Sequence, residues 1–368
     1  MRLIYNTKYR DIDRNMSDCQ MGGRKAKGCR NNIFIANAII HDVMKSKKKK
    51  PIILQIYDYA QMFDSIDLDQ AISDIFYIGL DDDNLVLLQK ANEEIHMAVK
   101  TTNGLTDRQV LKDIVLQGDT WGSLLASVQV DSIGKECQEA GYGYLYKDSL
   151  PISILGLVDD MLGVTEAGYK AEQMNTFMNL KTAEKSLQFG ATKCKWMLVG
   201  KDKKNALNTN LVVDSWKVEY VDNLETGDYD LVETHQGKVD IEKTETHKYL
   251  GFVLSSTGDN MININSMKAK SNGIIRLIFN RLESLNLMRY YFECAIVFMN
   301  SMLRSSILYA AETYYDLKEH ELRAIERIEE MFMTKLLKTS KGCPIVQLYL
   351  TLGQVPARFA IMKIRLMF

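Results

Sequence analysis

Proline and cysteine are sparse in this chain, and each shortage narrows what it can be. Four prolines in 368 residues, Pro51, Pro151, Pro344 and Pro356, exclude a proline-rich linker or a collagen-like array. Six cysteines, Cys19, Cys29, Cys137, Cys194, Cys294 and Cys343, are scattered without a C-x-x-C pair. Neither a zinc cage nor a dense disulfide framework is indicated, and a reducing intracellular compartment, nucleus or cytoplasm, is the expected setting. The five histidines, His41, His96, His235, His247 and His320, show no metal-ligand spacing. No run approaches the roughly 18 uncharged apolar residues of a membrane-spanning helix, so no membrane partner is expected. Met1 to Arg14 is polar and charged, unlike a secretory signal. No fixed-period repeat is present. What remains is a globular composition, 46 % apolar and 25 % charged, which excludes disorder along the whole chain.

The formal charge of −1 conceals strong segregation. Residues 1–50 carry 13 Lys and Arg against 4 Asp and Glu, residues 51–260 carry 18 against 34, and residues 261–368 carry 15 against 9. Basic ends around an acidic middle suit a polyanion held by the walls and divalent metal held at the centre. Solvated faces with no partner account for the same blocks.

Asn31 to Val43 places Ile33, Ala36, Asn37, Ile40 and Val43 near one helical face, and Pro51 bars continuation past the run Lys47–Lys50. Ile52 to Tyr57 reads as a buried strand ending at Asp58. Leu68, Ala71, Ile72, Ile75 and Phe76 then line a helix, and Asp81-Asp82-Asp83 reads as a helix cap. A glycine-bearing segment from Val115 leads into another helix. Ile152 to Val164 has two apolar arms with Asp159-Asp160 between them, a hairpin with acids at its bend. Residues 200–248 alternate and are rich in turns, predicting short antiparallel strands. Residues 267–338 lack proline and read as helical.

Two apolar strands that end in acid need compensation, because desolvating a carboxylate is costly. If the strands are neighbours, Asp58 and Asp159-Asp160 converge, and paired divalent ions would neutralise them. Two ordinary strand-to-turn aspartates remain the simpler alternative.

Six blocks, in order, resemble the reverse transcriptase of non-LTR (LINE-like) retrotransposons. They are Gln20-Met21-Gly22-Gly23-Arg24, Tyr57-Asp58-Tyr59-Ala60-Gln61-Met62-Phe63-Asp64, Val115-Leu116-Gln117-Gly118, Leu157-Val158-Asp159-Asp160, Phe189-Gly190 through Lys193-Cys194-Lys195, and His247-Lys248-Tyr249-Leu250-Gly251. The resemblance spans roughly residues 1–260. It implies an α+β fold: a right-hand polymerase palm at 51–260, partial fingers at 1–50 and a truncated helical thumb at 261–368. It implies an RNA-directed DNA polymerase that adds deoxynucleoside triphosphates to a DNA primer on an RNA template, using two Mg²⁺ ions, with Mn²⁺ as an alternative. Asp58, Asp159 and Asp160 would be catalytic and metal-binding, with the Tyr59 carbonyl completing a metal shell. Arg24, Phe63, Gln117, Gly118 and Lys193 would meet the nucleotide. Phe63, five residues past Asp58, would exclude a ribose 2′-OH, though core packing also accounts for it. Lys193 would donate a proton to departing pyrophosphate. Tyr249, Leu250 and Gly251 would form the primer grip.

The chain departs from the family pattern in several places. Leu157-Val158 replaces an aromatic-alanine pair, Asp119-Thr120-Trp121-Gly122-Ser123 replaces a proline-containing segment, and Gly23 stands where phenylalanine is usual. Little chain precedes Gln20, and an apparent helix runs to the end of the sequence. A fragment of a longer element protein is therefore expected. The alternative function is a degenerate, non-catalytic remnant that binds nucleic acid.

Overall fold

A computed structural model describes residues 12–46, 49–102, 104–112, 115–116, 118, 121–200, 207, 209–222, 229–284, 290–314, 316–340 and 342–368. It divides into two compact units. The first holds the described residues up to Asn32 together with Asp42–Glu245, and the second holds Ile33–His41 with Thr246–Phe368. The described N-terminal segment belongs to the first unit, and the 246–255 hairpin belongs to the second.

The first unit is organised on strand β1 (Ile52–Tyr57), buried along its whole length. β-Branched and aromatic side chains suit such a strand, because both faces and both edges are covered. It lies in a five-stranded sheet with β2 (Ile154–Leu157), β3 (Asp160–Glu166), β4 (Lys195–Val199) and β7 (Glu242–Lys243), in the order β7-β4-β1-β3-β2. Every pairing is antiparallel except β4 with β7. Between β4 and β7, β5 (Val212–Asp222) and β6 (Tyr229–Asp240) pair as a separate ladder, longer than the short strands expected there.

Helices cover the sheet. The buried amide of Gln55 donates to the Ala171 carbonyl on α5 (Tyr169–Glu184), at 2.9 Å. At Gly163 a Cβ would lie 2.8 Å from the Met174 methyl, so glycine permits the close approach of α5. Helix α4 (Gly122–Glu139) packs through Gly134 against Cys19 and Ile154. Helix α1 (Cys29–Lys45), whose Ile33–His41 stretch belongs to the second unit, runs through the predicted span, and Ile33, Ala36, Ile40 and Val43 on it are buried. Capping acids fix two more helices. Asp67 accepts from the Gln70 amide before α2 (Leu68–Tyr77), and Asp81 accepts from the Asn84 amide before α3 (Asp82–Glu93). The acidic triplet is therefore a cap and first turn, where the helix dipole favours negative charge.

The second unit holds the hairpin β8 (Thr246–Tyr249) and β9 (Phe252–Ser255), then α6 (Asn260–Ser284), α7 (Tyr291–Phe298), α8 (Glu319–Leu337), α9 (Ile345–Thr351) and α10 (Ala357–Met367). Tyr291–Thr313 is long and apolar enough to cross a membrane by length and composition, though Glu293 and Arg304 interrupt it. Ala295, Met299, Leu303 and Ile307 recur every four residues along it and are all buried, while Phe292, Val297 and Tyr309 are exposed. A π-helical turn, Met299–Arg304, interrupts it. Among the described residues of this unit, Glu329 is a buried hub. Its carboxylate accepts from Arg304 Nε at 2.7 Å, from the Tyr349 hydroxyl at 2.5 Å and from the Ala357 amide at 3.0 Å. Removing one member of a buried charge network leaves its partners desolvated and uncompensated. Glu329→Ala is expected to destabilise this unit by about 3–5 kcal/mol, read by chemical denaturation. A loss below about 1 kcal/mol would show that the hub carries little.

Candidate active site

The sheet register decides which acids can meet. Tyr57 on β1 pairs with Met161 on β3, so one step outward sets Asp58 beside Asp160. Facing residues in an antiparallel ladder have Cα atoms about 4.5–5.5 Å apart. Strands β2 and β3 close at the pair Leu157–Asp160, leaving Val158 and Asp159 as the turn. By register, Asp58, Asp159 and Asp160 thus share one end of a single sheet. Their mutual influence is electrostatic. Desolvation first, then the charges of Asp159 and Asp58, raises the Asp160 carboxyl to about 6.

The segment Gln188–Cys194 wraps the exit of β1. The Ala60 amide donates to the Gln188 carbonyl at 2.8 Å, and the Gly190 amide donates to the Asp58 carbonyl at 2.8 Å. These flanking bonds make Tyr59 and Phe189 a wide, non-hydrogen-bonded pair that leaves the Tyr59 carbonyl outside this ladder. The Tyr59 and Phe189 rings stack at 5.0 Å. Cys194 packs its sulfur beneath the strand exit, where the Asp58 amide approaches Sγ at 3.5 Å, and burial pushes its thiol up to about 11. Sequence reasoning assigned Cys194 no role; its place within the lysine motif was the available signal.

Lys193 extends from this segment, and its exposed Nζ lies 3.0 Å from Asp58 Oδ1. Sequence reasoning aimed this amine at pyrophosphate; here it neutralises a carboxylate. The donor set at the sheet end is three carboxylates and a backbone carbonyl, all hard oxygens, which suits Mg²⁺ or Mn²⁺ chemically. Among the described residues no three acidic, cysteine or histidine groups already stand in ligating geometry.

The other candidates separate. Phe63 sits on the short helical turn Met62–Ser65, entered through Gln61 in the left-handed region at φ 46°, and packs half-buried against the core of this unit. Gly118 is exposed at φ 91°, and Gln117 lies outside the described residues. Arg24 is corrected: it is a structural knot, not an exposed phosphate contact. Its buried guanidinium donates to the Asp13 carboxylate at 2.8 Å, to the Asp13 carbonyl at 2.7 Å, to the Gln20 carbonyl at 2.9 Å, and to the Ser17 carbonyl. Tyr249, Leu250 and Gly251 come together in the second unit as the β8–β9 turn. Leu250 at φ 49° and Gly251 at φ 86° give the doubly positive turn that a two-residue hairpin favours. The Tyr309 hydroxyl donates to the Leu250 carbonyl at 2.5 Å.

A mainly antiparallel sheet with acids at one end and helices packed on it is the arrangement expected of a polymerase palm. The reverse transcriptase (RNA-dependent DNA polymerase) family model matches residues 1–254, and the chain belongs to that family. A comparison with curated proteins returns no match. Among solved structures, the chain is similar to telomerase from Candida albicans in complex with a TWJ fragment of telomeric RNA, at 11 % identity and a TM-score of 0.41, covering 92 % of this chain and 54 % of that one. It is also similar to telomerase from Candida tropicalis in complex with a TWJ fragment, at 13 % identity and a TM-score of 0.36, covering 96 % and 55 %. The chain spans about half the length of these structures.

The raised Asp160 carboxyl gives a pH signature. The folded state holds this proton more tightly than the unfolded chain, so the associated stability is present at low pH and lost as pH rises through about 6. In EDTA, Asp160→Asn is expected to raise Tm relative to wild type at pH 7.5, with the gain shrinking at pH 4.5. An equal gain at both pH values would remove Asp160 from the charge cluster.

Proposed function

We propose that this chain is the polymerase domain of a non-LTR (LINE-like) retroelement, adding deoxynucleotides to a primer 3′-OH on an RNA template. The observation that carries the reading is the sharing of one sheet end by Asp58, Asp159 and Asp160. Asp58 and Asp159 would hold paired Mg²⁺ ions, with Asp160 adjacent and the Tyr59 carbonyl completing a shell. Bound there, such ions would supply neutralisation of the phosphate charge. The protein's share is positioning. Acids fixed by a sheet need no reorganisation as charge develops, which is where most polymerase catalysis originates.

Lys193 gains a use in this reading. Once the charge on Asp58 is otherwise compensated, its exposed ammonium is released to carry a proton to the leaving pyrophosphate. Phe63 would form the floor under C2′ of the incoming sugar, where a ring leaves no room for oxygen. The basic N-terminal and C-terminal segments favour a nucleic-acid backbone through charge rather than sequence. The second reading, a non-catalytic binding remnant, is favoured by Arg24, whose guanidinium is committed to the protein.

Primer extension on an RNA template tests the proposal. Wild type is expected to extend the primer with deoxynucleotides, and Asp159→Ala to reduce the rate at least about 10³-fold, the scale of losing an electrostatic centre. Equal rates would sink the enzymatic reading, and template binding without extension by either protein would select the remnant. Phe63→Ala then separates its two roles. A selectivity role predicts increased ribonucleotide incorporation. Unchanged sugar preference with a stability loss of about 3–5 kcal/mol would make Phe63 a core residue only.

A further inference from the structure

We propose that Gln20 is a positioning residue that sets the turn bearing Asp159, so that the N-terminal segment completes the catalytic end of the sheet. The inference rests on the polymerase reading above and adds a residue to it. Gln20 forms an isolated parallel bridge with Gly156 on β2. The Gly156 amide donates to the Cys19 carbonyl at 2.7 Å, and the Met21 amide donates to the Gly156 carbonyl at 2.9 Å. This lateral pairing carries the fully buried Gln20 side chain to the β2–β3 turn.

At the turn, the Gln20 amide engages both backbone groups of one residue. The Val158 amide donates to Gln20 Oε1 at 2.8 Å, and Gln20 Nε2 donates to the Val158 carbonyl at 3.1 Å. The same Oε1 accepts from the Gly22 amide at 2.8 Å. Val158 sits at φ 58°, a left-handed conformation that a β-branched residue avoids. Such strain persists only where the surroundings over-determine it, and here a two-point amide clamp does so. The residue held is the one immediately before Asp159. A rotation at Val158 would re-aim the Asp159 carboxylate directly.

Gly22 supports the same device. A Cβ there would fall 2.6 Å from the Val158 nitrogen and 2.9 Å from Gln20 Oε1, so only glycine admits this approach. Asn32 braces the strand beneath, donating to the Gly156 carbonyl at 2.9 Å. Arg24 in turn holds the Gln20 carbonyl. The segment read as a finger motif therefore acts on the catalytic turn.

The test compares wild type with Gln20→Met, which removes the amide at similar length, and Gln20→Glu, which keeps the acceptor and loses the donor. Hydrogen exchange on the peptide spanning residues 155–162 should accelerate at least tenfold in Q20M, with residues 52–57 unchanged. The Mn²⁺ concentration at half-saturation, read by electron paramagnetic resonance without nucleic acid, should rise about tenfold. In primer extension kcat should fall, with the nucleotide KM changed less than twofold. Adding Val158→Gly, which relieves the strain, should recover part of the Mn²⁺ affinity. If Q20M does not fold, Q20E decides, with the same directions and smaller shifts. A folded Q20M or Q20E with unchanged Mn²⁺ midpoint and kcat would overturn the proposal. Asp159→Ala separates the two layers: if it polymerises normally, the functional reading falls, while the exchange result still judges the clamp.

Discussion

Carboxylates of like charge do not crowd together unless the backbone leaves them no alternative, and in this chain strand β1 supplies that compulsion. It is buried along every residue and hydrogen-bonded on both edges, so the first of its side chains to reach solvent lies just past its end, at Asp58. Its neighbour β3 starts at the matching level with Asp160. Desolvation first, and then the charges of Asp159 and Asp58, raises the Asp160 carboxyl, and the Lys193 ammonium pairs with Asp58. One compensation is in place there, the Lys193 ammonium, and the oxygen donors would suit a hard cation as a second.

Much of this is legible in the residues alone. Ile52 to Tyr57 shows as a strand because the run is too short for a stable helix and too apolar for a surface loop. The hairpin around Asp159 shows because its two arms are each of strand length. The acidic triplet at Asp81 shows as a cap because the apolar helix follows at once. These signals are local, and each is set by the residues it contains.

What is not legible is non-local. Arg24 looks like a phosphate ligand in its motif, yet its partners Asp13, Ser17 and Gln20 are fixed by the path of a preceding turn that the motif does not encode. Phe63 reads equally as pocket floor and as core, since half-burial satisfies both. The Tyr291–Thr313 stretch is apolar enough for either a bilayer or a core, and its sequence does not show that Ala295, Met299, Leu303 and Ile307 are buried. The grouping of Tyr249, Leu250 and Gly251 with the helical unit depends on Tyr309, which lies 59 residues beyond Leu250.

The contact between Gln20 and Val158 joins residues 138 apart. Closing a loop of that size has an entropic cost of about 4 kcal/mol plus a constant, and it is met only when the intervening helices and β1 are already packed. During synthesis the N-terminal segment emerges long before the turn it touches. The geometry at Asp159 thus rests on a pairing of large sequence separation, the kind that raises contact order. It inherits the cooperativity of the whole unit. An isolated β2–β3 hairpin would carry the same two aspartates and none of their arrangement.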